Sequence, residues 1–296
     1  MWVKKEPVLK VVKPEDPEWK LLHRVADSKL DQVKKAFLLA IAATQEKIVV
    51  TKMAEALAAG DLAAVESMID WGAFGASFGI IQDVFRDIAE EVGKAAAREL
   101  GRRIRAELRF DLLNPRAVEF IRQHTGDLIR QITEESRQAI RAIIRQAFEE
   151  GGHPHGQVKK IVQHIGLTER QSRAVENYRR RQLEAGASKA EADRRAEAYA
   201  KRLLWDRAEN IARTETLLAA NEGQREVWRQ AADQGLIDGA EFEREWITTP
   251  DDRLCPLCLA MDGKRAPIGG VYDNGSGGPP LHPRCRCAEG LVRRRT

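Results

Sequence analysis

Residues 188–235 read SKAEADRRAEAYAKRLLWDRAENIARTETLLAANEGQREVWRQAADQG, a tract without a single proline. Ser188 followed by Glu191 is the capping-box pattern that opens a helix, and Gly235 is the residue type that ends one. Proline breaks helix interiors, so the tract predicts one long helix, bent near Trp205. Working outward, no proline lies between Pro17 and Pro115 or between Pro154 and Pro250, and six of the 11 fall from Pro250 onward. The predicted fold is therefore mainly α: an elongated bundle of antiparallel helices with short connections, then a small C-terminal α+β unit.

Four regions follow. Residues 1–24 read as an extended, charged arm. Residues 25–109 form an N-terminal helical region, in which Leu30, Val33, Phe37, Ile41 and Ile48 keep a helical period from about Ser28 to Leu57. Gly60-Asp61 marks a stop and restart, and 62–109 reads as helix broken near Gly72 and Gly75. Arg98, Arg102 and Arg105 share one face of its end, which reads as a solvated face before a nucleic-acid site. Residues 110–235 form a central bundle: a turn at Asn114-Pro115, helices over about 126–149 and 157–165, a helix capped by Thr168 and Gln171, and the long tract. Residues 236–296 change character, with a strand over Glu241–Thr249 (EFEREWITT) and then a Gly- and Pro-rich stretch. Such a short piece buries little apolar surface and needs a staple.

The 296 residues are 43% hydrophobic and 32% charged, a globular composition and not a disordered one. The net charge of +4 lies in residues 255–296, with seven basic and three acidic side chains; the residues before them balance. A uniformly basic coat is excluded, and a basic tip is not. The longest uncharged run, Trp71 to Gln82, is far short of the roughly 20 apolar residues that span a bilayer, so no membrane partner is expected. The N-terminus lacks an apolar h-region, so synthesis without a secretory signal is expected.

All four cysteines lie in the last 42 residues, as Cys255-Pro-Leu-Cys258 and, after His282, Cys285-Arg-Cys287. Two close thiol pairs separated by a long loop are the layout of a structural zinc site, which wants four soft or borderline ligands. Five candidates compete for four places. Four thiolates are the favoured set, with His282 as a substitute ligand or as a hydrogen-bond partner to one. Reduced thiols in a core, and disulfides, remain alternatives. A catalytic metal is disfavoured: a deaminase needs His-x-Glu ahead of Pro-Cys-x-x-Cys, and here the nearby His follows the first pair. No catalytic residue is assigned, and the chain is read as a non-enzyme.

Within Ala212-Arg213-Thr214-Glu215-Thr216, Arg213 and Glu215 are two apart on a helix and cannot pair with each other. Either they form a polar surface patch or they dock the C-terminal segment onto the bundle. His23, His124 and His164 read as surface or core residues. Arg293, Arg294 and Arg295 read as a solvated tail, with phosphate contact as the minority alternative.

FDLLNPRAVEFI (110–121), ARTET (212–216), EWITTPDDRLCPLC (245–258), DGKR (262–265) and PPLHPRCRC (279–287) together resemble the phage head morphogenesis family, the phage Mu F-like minor head proteins. The resemblance covers about 110–290. It implies a structural minor component of tailed-phage or prophage heads, present in the virion and, during assembly, in the host cytoplasm. The implied partners are portal protein, capsid and scaffold proteins during procapsid assembly, and DNA during packaging or ejection. Some relatives carry a toxin or ADP-ribosylating domain after this region; with nine residues after Cys287, none is expected here. Two other functions compete: a metal-dependent nuclease or hydrolase acting on DNA, and a DNA-binding module using the basic tip.

Overall fold

The computed structural model describes residues 17–151, 153–249 and 254–294. It is mainly α, as expected. In chain order the elements are α1 (Pro17–Glu46), α2 (Val50–Ala58), α3 (Leu62–Ser67), α4 (Trp71–Ala76), α5 (Gly79–Ile104), α6 (Pro115–Glu150), α7 (Pro154–Gln163), α8 (Glu169–Glu184), α9 (Lys189–Asp233), β1 (Phe242–Ile247), α10 (Pro256–Leu259), β2 (Arg265–Pro267) and β3 (Ala288–Arg293). The three strands form one antiparallel sheet in the order β2-β1-β3, with Arg244 opposite Ala266 on one side and Leu291 on the other.

Several boundaries differ from the sequence reading, each for a local reason. The arm expected over 1–24 lies mostly outside the described residues, and 17–24 are helical, not extended. Pro17 occupies the first turn, where its missing N–H costs nothing, and Leu22 and Val25 are buried on the inner face. The helix expected from about 126 begins at Pro115 instead: Asn114 caps it, its Oδ1 accepting from the Arg116 N–H at 3.0 Å. The segment 62–109 divides into three helices, because Asp61 and Asp70 cap new starts and Arg105 takes φ +56° and ends α5. Thr168 and Gln171 form a complete capping box. α9 is helical without interruption through Trp205.

Contacts group the chain into two units, whose boundaries fall inside α1, α5, α6 and α9. One contains 31–84 and 119–212. Within it Phe37, Phe74 and Phe78 meet at ring separations of 5.5 and 5.0 Å. The buried Arg207 donates to the carbonyl of Gly166 at 2.6 Å and to Glu135 at 2.7 Å. α9 contributes Ala192, Ala196 and Ala200 at a spacing of four, a narrow buried stripe.

The other unit contains the described residues of 1–30, 85–118 and 213–296. Its core joins Ala97, Leu100 and Leu108 to Val227, Trp228 and Ala231 of α9 and to Phe242, Ile268 and Leu291 of the sheet region. Here residues 221–228 are buried all round, so α9 is a central helix in this unit. Gly223 is what lets α5 approach: a Cβ there would lie 2.4 Å from the Ala89 carbonyl oxygen. The segment before α6 is clamped to α9. Gln230 donates to the Asp111 carbonyl at 2.8 Å and accepts the Asp111 N–H at 2.9 Å, and Arg116 grips Glu226 with two bonds of 3.0 Å. No helix among the described residues is long and apolar enough to cross a membrane.

Candidate metal centre

The cysteine pairs sit on two turns. Cys255 caps α10, its Sγ accepting the Cys258 N–H at 3.4 Å, so both thiols of the first pair point to one side of a single tight turn. The second pair follows His282 and leads directly into β3. Together with Trp246, Met261, Ala266 and Tyr272, the thiols of Cys258, Cys285 and Cys287 form a small buried core, with Cys255 packed against it. All four cysteines are free thiols.

Five donors converge. His282 Nε2 lies 3.1 Å from Cys255 Sγ and 3.2 Å from Cys258 Sγ, and Cys258 Sγ lies 3.6 Å from Cys285 Sγ. Two groups can hold a metal ion by geometry: Cys255, Cys258 and His282, and Cys258, Cys285 and Cys287. Cys258 belongs to both. Zn–S bonds of about 2.3 Å and Zn–N bonds of about 2.0 Å place tetrahedral S···N pairs roughly 3.5 Å and S···S pairs roughly 3.8 Å apart, a few tenths of an ångström wider than these separations. The Nδ1–H of His282 donates to the Pro283 carbonyl at 2.8 Å, which turns the Nε2 lone pair toward the sulfurs, the usual arrangement of a ligating imidazole. Hydrogen bonds from Cys258 and then Cys287 hold the Cys285 thiol far below the ordinary thiol range, while the same bond pushes Cys258 up. A thiolate is the form a metal takes, and the cluster already favours one.

Three donors meet on one carbonyl between the second pair of thiols. Trp19 Nε1, His23 Nε2 and Thr249 Oγ1 lie 3.3, 2.9 and 2.7 Å from the Arg286 oxygen. Burial pushes the His23 pKa down, so its imidazole stays neutral and serves as a hydrogen-bond donor. The sequence reading passed over His23 as an ordinary surface or core residue.

The Gly- and Pro-rich stretch has a second anchor, which sequence reasoning missed. Arg244 is fully buried and donates to the carbonyls of Pro267, Gly270 and Gly277 at 3.1, 2.6 and 2.7 Å, and to Glu289 at 2.7 Å. Glu289 also accepts from Tyr272 at 2.8 Å and pairs with Arg225 of α9 at 3.1 Å. Arg225 in turn reaches the carbonyls of Gly277 and Pro279. Gly278 must be glycine: its φ is +143°, and a Cβ would lie 2.9 Å from the Glu289 carboxylate. The available signal was the alternation of β1, where Arg244 falls on the same face as Phe242 and Trp246.

Arg213 is exposed and lines a cavity of about 330 Å³ beside Cys285 and Arg286; Glu215 is buried. Thr214 Oγ1 accepts the Arg284 N–H at 3.3 Å, and Asn221 donates to the Cys287 carbonyl at 3.5 Å. Arg293 lies over the Phe242 ring at 5.7 Å, and Arg294 pairs with Glu243 at 3.4 Å. Arg295 falls outside the described residues.

Comparison with known families gives a match to the phage Mu protein F-like proteins over residues 138–289. The chain belongs to the phage Mu F-like family. The match takes in all of α9, both cysteine pairs, His282 and the Glu289 network. Comparison with curated proteins and with solved structures gave no match.

Proposed function

We propose that this chain is a structural minor head protein of a tailed phage or prophage, working beside the portal and the capsid or scaffold subunits during procapsid assembly. The family match over 138–289 carries this reading, and membership implies contact with other head components. In the same reading the C-terminal unit is a docking tip whose shape is fixed by one zinc ion. Cys255, Cys258 and His282, whose donor atoms lie together, would hold it, with Cys285, 3.6 Å from Cys258 Sγ, as the fourth ligand from the second pair. This differs from the four-thiolate set favoured by sequence. When bound, the metal supplies a cross-link between two turns and no reaction. Arg213 and Glu215 would support the tip from α9.

Coexpression with portal and capsid proteins of the same phage or prophage, followed by affinity capture of this chain, tests the assembly role. Portal or capsid protein copurifying at a fixed ratio is expected; recovery of the chain alone from such lysates would overturn it.

A further inference from the structure

A cleft of about 730 Å³ opens in the unit that contains the start of α1 and the end of α5, and none of the cysteines lines it. Its floor is apolar and small: Ala96, Ala97, Leu100, Leu108 and Trp228. The turn after α5 shapes one wall, where the Ala106 N–H returns to the Gly101 carbonyl at 3.0 Å and Arg105 takes φ +56°. Gln224 of α9 reaches the cleft at 1% exposure, and its Oε1 has no hydrogen-bond partner among the described residues. A buried acceptor left unpaired is costly, and a ligand that brings an N–H removes that cost.

The rim carries charge to spare. Its carboxylates are already engaged: Glu18 with Arg103, Glu99 with Arg102, and Glu107 with Arg109. Arg24, Arg98 and Arg105 also line the cleft, and among the described residues none of the three makes an ion pair. Two of them belong to the arginine face that the sequence suggested was merely solvated.

We propose that this cleft receives an acidic peptide segment of a partner protein, seating one apolar side chain between flanking carboxylates. The apolar side chain suits the alanine-rich floor, a backbone N–H satisfies Gln224, and the carboxylates meet the unpaired arginines. A phosphate backbone fits less well, because its oxygens only accept hydrogen bonds and would leave both the floor and Gln224 unserved; a DNA competitor in the test below covers contact through bases. The chain's own first 16 residues carry more basic than acidic side chains and do not complement this rim. The proposal stands apart from the head reading and from the metal.

Fluorescence anisotropy on the full chain tests it. The probes are labelled peptides with two Glu on each side of a central Ala, Leu, Met, Phe, Tyr or Trp, and the same set with Lys in place of Glu. Saturable binding of an acidic, large-apolar member is expected, with the Ala and Lys members at least tenfold weaker. The double variant Arg98→Glu/Arg105→Glu should lose at least tenfold more affinity than the charge-matched control Lys47→Glu/Lys52→Glu. Gln224→Met should weaken the peptide yet raise the melting temperature of the free chain, an opposition that a purely structural glutamine would not produce. Equal binding of the Glu and Lys sets would overturn the proposal. So would indifference to the arginine variant with ellipticity intact, or a labelled DNA duplex that competes at the same arginines.

Discussion

Glu289 accepts hydrogen bonds from Arg244 and Tyr272 and pairs with Arg225, and both arginines are buried. Removing that one carboxylate leaves buried Arg244 without a counter-charge and Arg225 with Glu222 alone; an uncompensated buried charge typically costs roughly 3–5 kcal/mol. Glu289→Gln should therefore lower unfolding free energy in urea by about that much, whereas Glu245→Gln, which breaks the more exposed pair with Arg265, should cost under about 1 kcal/mol. Equal effects would mean the buried network is not what holds the 265–280 stretch. Arg244 was legible from the alternation of β1, but nothing local marks Glu289 or Arg225 as its partners. Charges on a helix or strand look the same in sequence whether water or another charge meets them. A second, independent case is Glu66, which accepts from Arg141 and Arg137 at 2.9 and 2.7 Å and is held below the usual carboxylate range. Its folded pKa lies below its unfolded one, so its stabilisation is full above about pH 5 and is lost as pH falls through the folded value. Glu66→Gln should flatten that part of the acid limb, by no more than about 1 kcal/mol given its exposed partners.

Between elements, the tightest approach is that of α9 to α5 at Gly223. Gly223→Ala would place a methyl 2.4 Å from the Ala89 carbonyl oxygen and 2.8 Å from its Cα, both of them backbone. Overpacking of this kind costs roughly 1–3 kcal/mol despite the better helix propensity of alanine, and thermal melts should show the loss. A neutral or stabilising result would mean the helices can part freely. For the tip, Cys258 is the donor common to both groups, so Cys258→Ser should abolish zinc binding and expose 255–287 to limited proteolysis. Far-UV ellipticity should barely change, because the long helices lie elsewhere. Metal analysis of reduced protein showing well under one zinc per chain, with the proteolysis pattern unchanged in the variant, would exclude the metal. Cys287→Ser separates the two donor sets: retained zinc is expected, and its loss would restore the four-thiolate arrangement. Element type was legible along most of the chain because proline spacing and apolar period speak directly to helix. Element ends were less so, since Pro115 starts a helix where it read as a turn, and Arg105 stops one by adopting a conformation no propensity foretells. All five candidate ligands were legible from spacing alone; that His282 touches two thiols, and that His23 braces the turn between two others, depends on contacts across more than 20 and 260 residues.

At the scale of the whole molecule, the mainly α character and the compact Cys/His tip could be read from the sequence, while the grouping of segments could not. Residues near 17–30, 85–118 and 213–294 share one unit through pairings such as Gln230 with Asp111 and Glu18 with the Leu291 N–H. Periodicity reports which face of a helix is buried and says nothing about which distant helix covers it. The region that matches the family, 138–289, carries both the long helix and most of the tip that packs on its last turns. In the proposed assembly role such a tip would have to hold its shape while partners change around it; the buried ion network supplies part of that rigidity, and a metal bound by the cysteines would supply the rest without a large core. The most direct test of the head assignment is quantitative mass spectrometry of gradient-purified particles and procapsids from an induced lysate. Peptides of this chain should sediment with both, at a constant ratio to the portal protein across fractions. Their absence from particles and procapsids alike, with the chain abundant in the unassembled fraction, would contradict the account.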